Sequence, residues 1–154
     1  MPVAIPAAVR LRCTLYALIA LAALVGTASQ LGRYLPLGPI QGNVQFWQDT
    51  FANAASRFIT VDIFFVFLVV WHWMLRESRR LGMGGIAGYF AASLLVAFST
   101  ALPLFMLHRE LAQQRHNAGR DGHPETPLGA WAWLSLLAVA AGTIAYTWRS
   151  LQAT

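Results

Sequence analysis

Residues 58–75 read FITVDIFFVFLVVWHWML. A helix that crosses a membrane needs about 20 mostly apolar residues, within a range of about 17–25. This run meets that requirement, and Asp62 and His72 are its only ionisable residues. Arg57 stands just before it and Arg76 just after, where a spanning helix keeps its charges. Three further runs qualify: residues 13–32, 83–107 and 128–148. None alternates with period two, which excludes an outer-membrane barrel. The expected fold is all-α, an integral membrane bundle of four transmembrane helices forming one domain over 1–154.

Composition agrees. Apolar residues make up 57% of the 154 and charged residues only 11%, against roughly 25% charged in soluble domains. So few charges could not cover a soluble surface without large apolar patches. The net charge is +5, and all 11 basic residues are arginine. They cluster at the ends of apolar runs, as in a protein that meets phosphate headgroups, and nucleic acid is not an expected partner. Cys13 is the single cysteine, so no disulfide scaffold forms.

The first run has a rival reading as a cleaved signal peptide, with Arg10 and Arg12 ahead of it and Gly26-Thr27-Ala28 as a small-residue site. Its length and its continuation through Leu31 favour a retained span. Between the first two runs, Trp47, Phe51, Ala55 and Phe58 recur at near-helical spacing, which predicts an interfacial amphipathic helix over 46–57.

With four crossings, Arg10, Arg12, Arg76, Arg79, Arg80 and Arg149 share one side, and Arg33, Arg57, Arg109, Arg115 and Arg120 the other. The count is nearly even. The dense trio Arg76, Arg79 and Arg80 tips it towards cytoplasmic termini in a bacterial inner membrane.

The segments VDIFFVFLVVWHWMLRESRRLG (61–82) and LLVAFSTALPLFMLHRE (94–110) carry an early aspartate, a Glu-x-Arg-Arg-Leu-Gly link and an Ala-Leu-Pro-Leu-Phe stretch ending in Arg-Glu. On these the chain resembles a bacterial membrane family, domain of unknown function 2834, over about residues 13–110. The resemblance implies a three-span core, leaves the fourth span outside it, and brings no catalytic or binding residue with it.

Asp62 is the candidate catalytic or ion-binding group, because a charge inside a span is costly. Its depth suggests a polar contact with Ser99 or Thr100, on a face shared with Trp73, that looks into the bundle or at interfacial water. Asp62→Leu is then expected to cost more stability than Asp62→Asn. Trp47, Trp71 and Trp73, with Arg76, Arg79 and Arg80, read as interfacial anchors. Gly84, Gly88 and Ala92 in the third run, and Ala138 and Gly142 in the fourth, form small-residue ridges for close helix packing. His72 lacks a second histidine at its depth for haem. The polar loop 108–125 has no metal-ligand spacing among His108, Glu110, His116, Asp121, His123 and Glu125. No cofactor or metal is expected.

Three functions compete. The first is a non-catalytic accessory, assembly or scaffold subunit, whose partners are membrane lipids and other membrane subunits or a second copy. The second is a membrane-embedded enzyme acting on an isoprenoid- or lipid-like molecule, with Asp62 as acid. The third is a transporter or channel subunit.

Overall fold

The computed structural model describes residues 6–118 and 128–152. Their order is α1 (Ala7–Ala28), two short 3-10 turns (Ser29–Arg33 and Leu35–Leu37), α2 (Gly38–Asp49), α3 (Ala54–Arg80), α4 (Ile86–Ala92), a π-helical turn (Ser93–Ala97), α5 (Phe98–Ala118) and α6 (Ala130–Gln152). No strand occurs among the described residues. Four runs of helix are long and apolar enough to cross a membrane: Ala7–Arg33, Ala54–Arg80, Ile86–His116 and Ala130–Gln152. Each extends past the apolar stretch read from sequence except at Met83–Gly85, which lies in the link before α4, and at Leu128 and Gly129, which precede α6.

The chain divides into two compact units, Met1–Ser29 with Met74–Leu128 and Gln30–Trp73 with Gly129–Thr154. In the first, α3 ends in a Schellman cap. Gly82 sits at φ +59°, its N–H donates to Arg79 O at 3.1 Å, and Met83 N–H donates to Ser78 O at 2.7 Å. A side chain at Gly82 would resist that left-handed backbone. The Leu-Gly of the link is therefore a helix stop.

The run that follows is not straight. Tyr89 packs edge-on against Phe105, centroids 5.5 Å apart, and its hydroxyl lies 3.2 Å from His108 Nδ1, 19 residues away. In a straight α-helix those residues would stand about 28 Å apart. The chain doubles back at the π-helical turn Ser93–Ala97, where Leu95 is 83% exposed at the tip. The arm from Ile86 to Leu95 reaches about 14 Å at helical rise, against a hydrocarbon core of about 30 Å. The α1 helix lies along α5 and also touches the turn, with Ala20 and Ala101 buried.

In the second unit α6 buries one stripe, Ala132, Ser135, Leu136, Val139, Thr143, Tyr146 and Ser150, at three- and four-residue spacing. The stripe packs on the earlier part of α3 and on the turn before it. Trp71 Nε1 donates to Ser135 Oγ at 2.9 Å. Tyr146 stacks on Phe51 at 4.4 Å, and its hydroxyl lies 2.8 Å from Thr50 Oγ1. At α2, a Cβ on Gly42 would sit 2.6 Å from Tyr34 O, so only glycine allows this close approach.

The helix expected over 46–57 is divided. Residues up to Asp49 end α2, residues 50–53 turn, and α3 starts at Ala54. Local hydrogen bonds cause the break. Thr50 Oγ1 donates to Trp47 O at 2.7 Å, and Asn53 Oδ1 accepts from Ser56 N–H at 2.9 Å, capping α3.

Candidate functional site

Two groups of side chains could carry chemistry, one in each unit. In the first unit, Glu77 near the end of α3 takes two hydrogen bonds from Arg80, each 2.7 Å, and one from Arg109 Nε at 2.7 Å. Arg109 also lies 3.6 Å from Glu110, and Arg12 Nε donates to Glu110 at 2.9 Å. Both glutamates are buried. The alternating order Arg12, Glu110, Arg109, Glu77, Arg80 gives each buried carboxylate at least two cationic neighbours. That compensation is what a carboxylate removed from water requires. Sequence reading missed this cluster, although Glu77 and Glu110 are two of only six acids in the chain. It brings Arg109 to the level of Arg12 and Arg80.

In the second unit, α3 and α6 enclose an open cleft of about 480 Å³, lined by Arg57, Phe58, Asp62, Phe65, Thr147 and Ser150 among others. Asp62 is exposed there and takes no hydrogen bond or ion pair among the described residues. Arg57 is turned to its own connection, donating to Phe51 O at 3.1 Å. Thr147 Oγ1 and Ser150 Oγ are buried without a hydrogen-bond partner. Nothing in the sequence singled out these two hydroxyls.

Asp62 belongs to the second unit and Ser99 and Thr100 to the first; Ser99 is exposed, and Thr100 is buried with Oγ1 unsatisfied. One and a half helical turns separate Arg57 from Asp62, so the arginine reaches Phe51 instead. Trp71 is not an interfacial anchor: it is fully buried, because its N–H finds Ser135 and its ring meets Trp131 at 6.0 Å. Trp47 and Trp73 are partly exposed, Trp47 stacked on Phe64 at 5.9 Å. Arg76 is exposed and Arg79 half-buried.

The small-residue ridges lie one in each unit. Gly84 lies in the link before α4, off the helix of Gly88 and Ala92. A Cβ at Gly84, Gly88 or Gly142 would meet nothing within 4 Å. Ala138 and Gly142 lie off the buried stripe of α6 and are exposed. His108 and His116 belong to α5, while Asp121, His123 and Glu125 lie outside the described residues. No group of three or more metal-binding side chains occurs among the described residues.

Where α2 closes on Tyr34, Asp49 accepts from Gln45 Nε2 at 2.8 Å and from Tyr34 Oη at 2.9 Å. These hydrogen bonds, Gln45's first, hold the Asp49 carboxyl below its ordinary value, and the bond to Asp49 raises Tyr34.

The model of the family described as Protein of unknown function DUF2834 matches residues 15–111, well over half of the chain. The chain belongs to the DUF2834 family. No curated protein and no solved structure matches it. The DUF2834 match holds the hairpin, most of the charged cluster and Asp62. It ends before α6, so Thr147 and Ser150 of the cleft lie beyond it. This DUF2834 chain is a multi-pass membrane protein by the four apolar helices.

Proposed function

We propose that this protein is a non-catalytic accessory or assembly component of a bacterial inner-membrane complex. One observation carries the reading: Ala138, Ala141, Gly142 and Ala145 on α6 point outward, away from the buried stripe. Such a face admits another helix at short range, from a partner subunit or a second copy. Extraction in native lipid with cross-linking tests it. Gly142→Leu should abolish a stoichiometric assembly while leaving the chain's own unfolding temperature unchanged. A wild-type chain that stays monomeric at every protein-to-lipid ratio, with no partner cross-linked, would remove the reading.

The cleft favours a second reading, a pocket for a lipophilic molecule with Asp62 as its polar contact. In either reading, α4 and α5 form a re-entrant hairpin. The end bearing Arg12, Arg80 and Arg109 faces the cytoplasm, as the side on which arginines are retained. The N-terminus lies on that side, and the C-terminus, after α6 crosses, on the other.

A further inference from the structure

Resting on the second reading, we infer that the cleft between α3 and α6 holds the headgroup of a phospholipid bearing both a phosphate and a primary ammonium, as in an ethanolamine lipid. The ammonium would meet Asp62 and the phosphate Arg57. Four observations converge on this ligand. Asp62 is an anion exposed in the cleft with no counter-charge of its own. Arg57, five residues earlier and about 140° round the helix, also lines the cleft and supplies the cation, about 7.5 Å away along the helix axis. It spends one donor on Phe51 O, and a guanidinium has five. Ser150, 92% buried by its 8% exposure, and Thr147 leave two hydroxyls unsatisfied, which a buried polar group tolerates only at a cost.

The charge pattern selects among lipids. An anionic headgroup gains Arg57 but is repelled by Asp62. A choline headgroup carries both charges, yet its quaternary nitrogen has no N–H to donate to the carboxylate. A primary ammonium has three. The rest of the cleft suits acyl chains: Phe58 and Phe65 line it at 75% and 50% exposure, opening outward. Residues 54–57 begin α3 and Ser150 nearly ends α6, so the cleft sits at a helix-end level where headgroups lie.

The test is competitive retention. The full chain is stripped of lipid and exchanged into nanodiscs holding equal parts of ethanolamine, choline and glycerol phospholipids, and retained lipid is read by native mass spectrometry. The expected result is ethanolamine lipid enriched about tenfold over the other two. Asp62→Asn should bring it down to the choline level without moving the unfolding temperature, since the carboxylate has no protein partner to lose. Ser150→Ala should lower retention a few-fold. Equal retention of ethanolamine and choline lipids by the wild type, or full enrichment in Asp62→Asn, would overturn the assignment. If a photoactivatable choline or glycerol lipid then cross-links to Phe58 or Phe65, the pocket stands and only the headgroup choice fails. If no lipid labels the cleft, the second reading itself fails.

Discussion

The Tyr89 hydroxyl meets His108 Nδ1 at 3.2 Å across 19 residues of a run that its composition marks as one spanning helix. The contact ties the two arms of the hairpin together, and Phe105 packs beneath it. Tyr89→Phe keeps the ring and removes the hydrogen bond, so it should cost about 1 kcal/mol. Tyr89→Ala also empties the space against Phe105 and should cost about 3–5 kcal/mol. Equilibrium unfolding in mild detergent measures both.

Reversal of the third run has a compartmental signature. In a Cys13→Ser background, cysteines placed at Ser78 and Arg115 should react with an impermeant maleimide from the same side of sealed vesicles. A cysteine placed at Leu151 should react from the other. Opposite labelling of the first two would show a straight crossing.

Glu77 holds Arg80 and Arg109 together with little water to replace it. Glu77→Gln leaves two arginines without their shared carboxylate and should destabilise by about 3 kcal/mol, at the lower end for a broken buried pair. Glu77→Asp should recover part of that. An unchanged melting temperature for Glu77→Gln would mean the cluster is solvated.

Gly42→Ala puts a methyl 2.6 Å from Tyr34 O, and a backbone oxygen cannot swing aside. A loss of about 1–3 kcal/mol is expected, as for overpacking elsewhere. Gly142→Ala, with nothing within 4 Å, should cost nothing. Thermal unfolding of the two variants side by side separates close approach from flexibility.

The Tyr34–Asp49 contact predicts a pH profile. Asp49 is depressed below its ordinary value of 3.8. Its contribution is therefore complete above that pH and is lost as pH falls through the lower folded value. Tyr34 is raised above its ordinary value of 10.0, so its contribution holds below that pH and fades as pH rises through the higher folded value. Tyr34→Phe should flatten the alkaline limb and weaken the acid one, read by melting temperature against pH.

Much of the fold was legible because helix formation in lipid depends on local composition. The apolar runs located α1, α3 and α6 to within a few residues. The hairpin was not legible, since Leu94, Leu95 and Val96 at its tip are as apolar as the middle of any span. Reversal is decided by contacts such as Tyr89 with His108, which hydropathy does not register. Asp62 stood out as a charge in an apolar run, but its neighbours did not. Thr147 and Ser150 line the same cleft only because α6 lies along α3, and no spacing encodes that. Trp71 was misread because a tryptophan near a helix end looks the same whether its N–H meets a headgroup or Ser135.

The hairpin also changes where the chain keeps its positive charge. With the third run turned back, Arg109 and Arg115 join Arg10, Arg12, Arg76, Arg79 and Arg80 at one end of the first unit. Contacts within the units agree: Arg12, Arg80 and Arg109 share two glutamates, while Arg57 and Arg149 both meet Phe51. That end then holds seven of the chain's 11 arginines. Each basic side chain near an anionic leaflet is worth about 1 kcal/mol of attraction. Seven such side chains gathered at one end would fasten that unit to acidic lipid and set the direction in which it inserts.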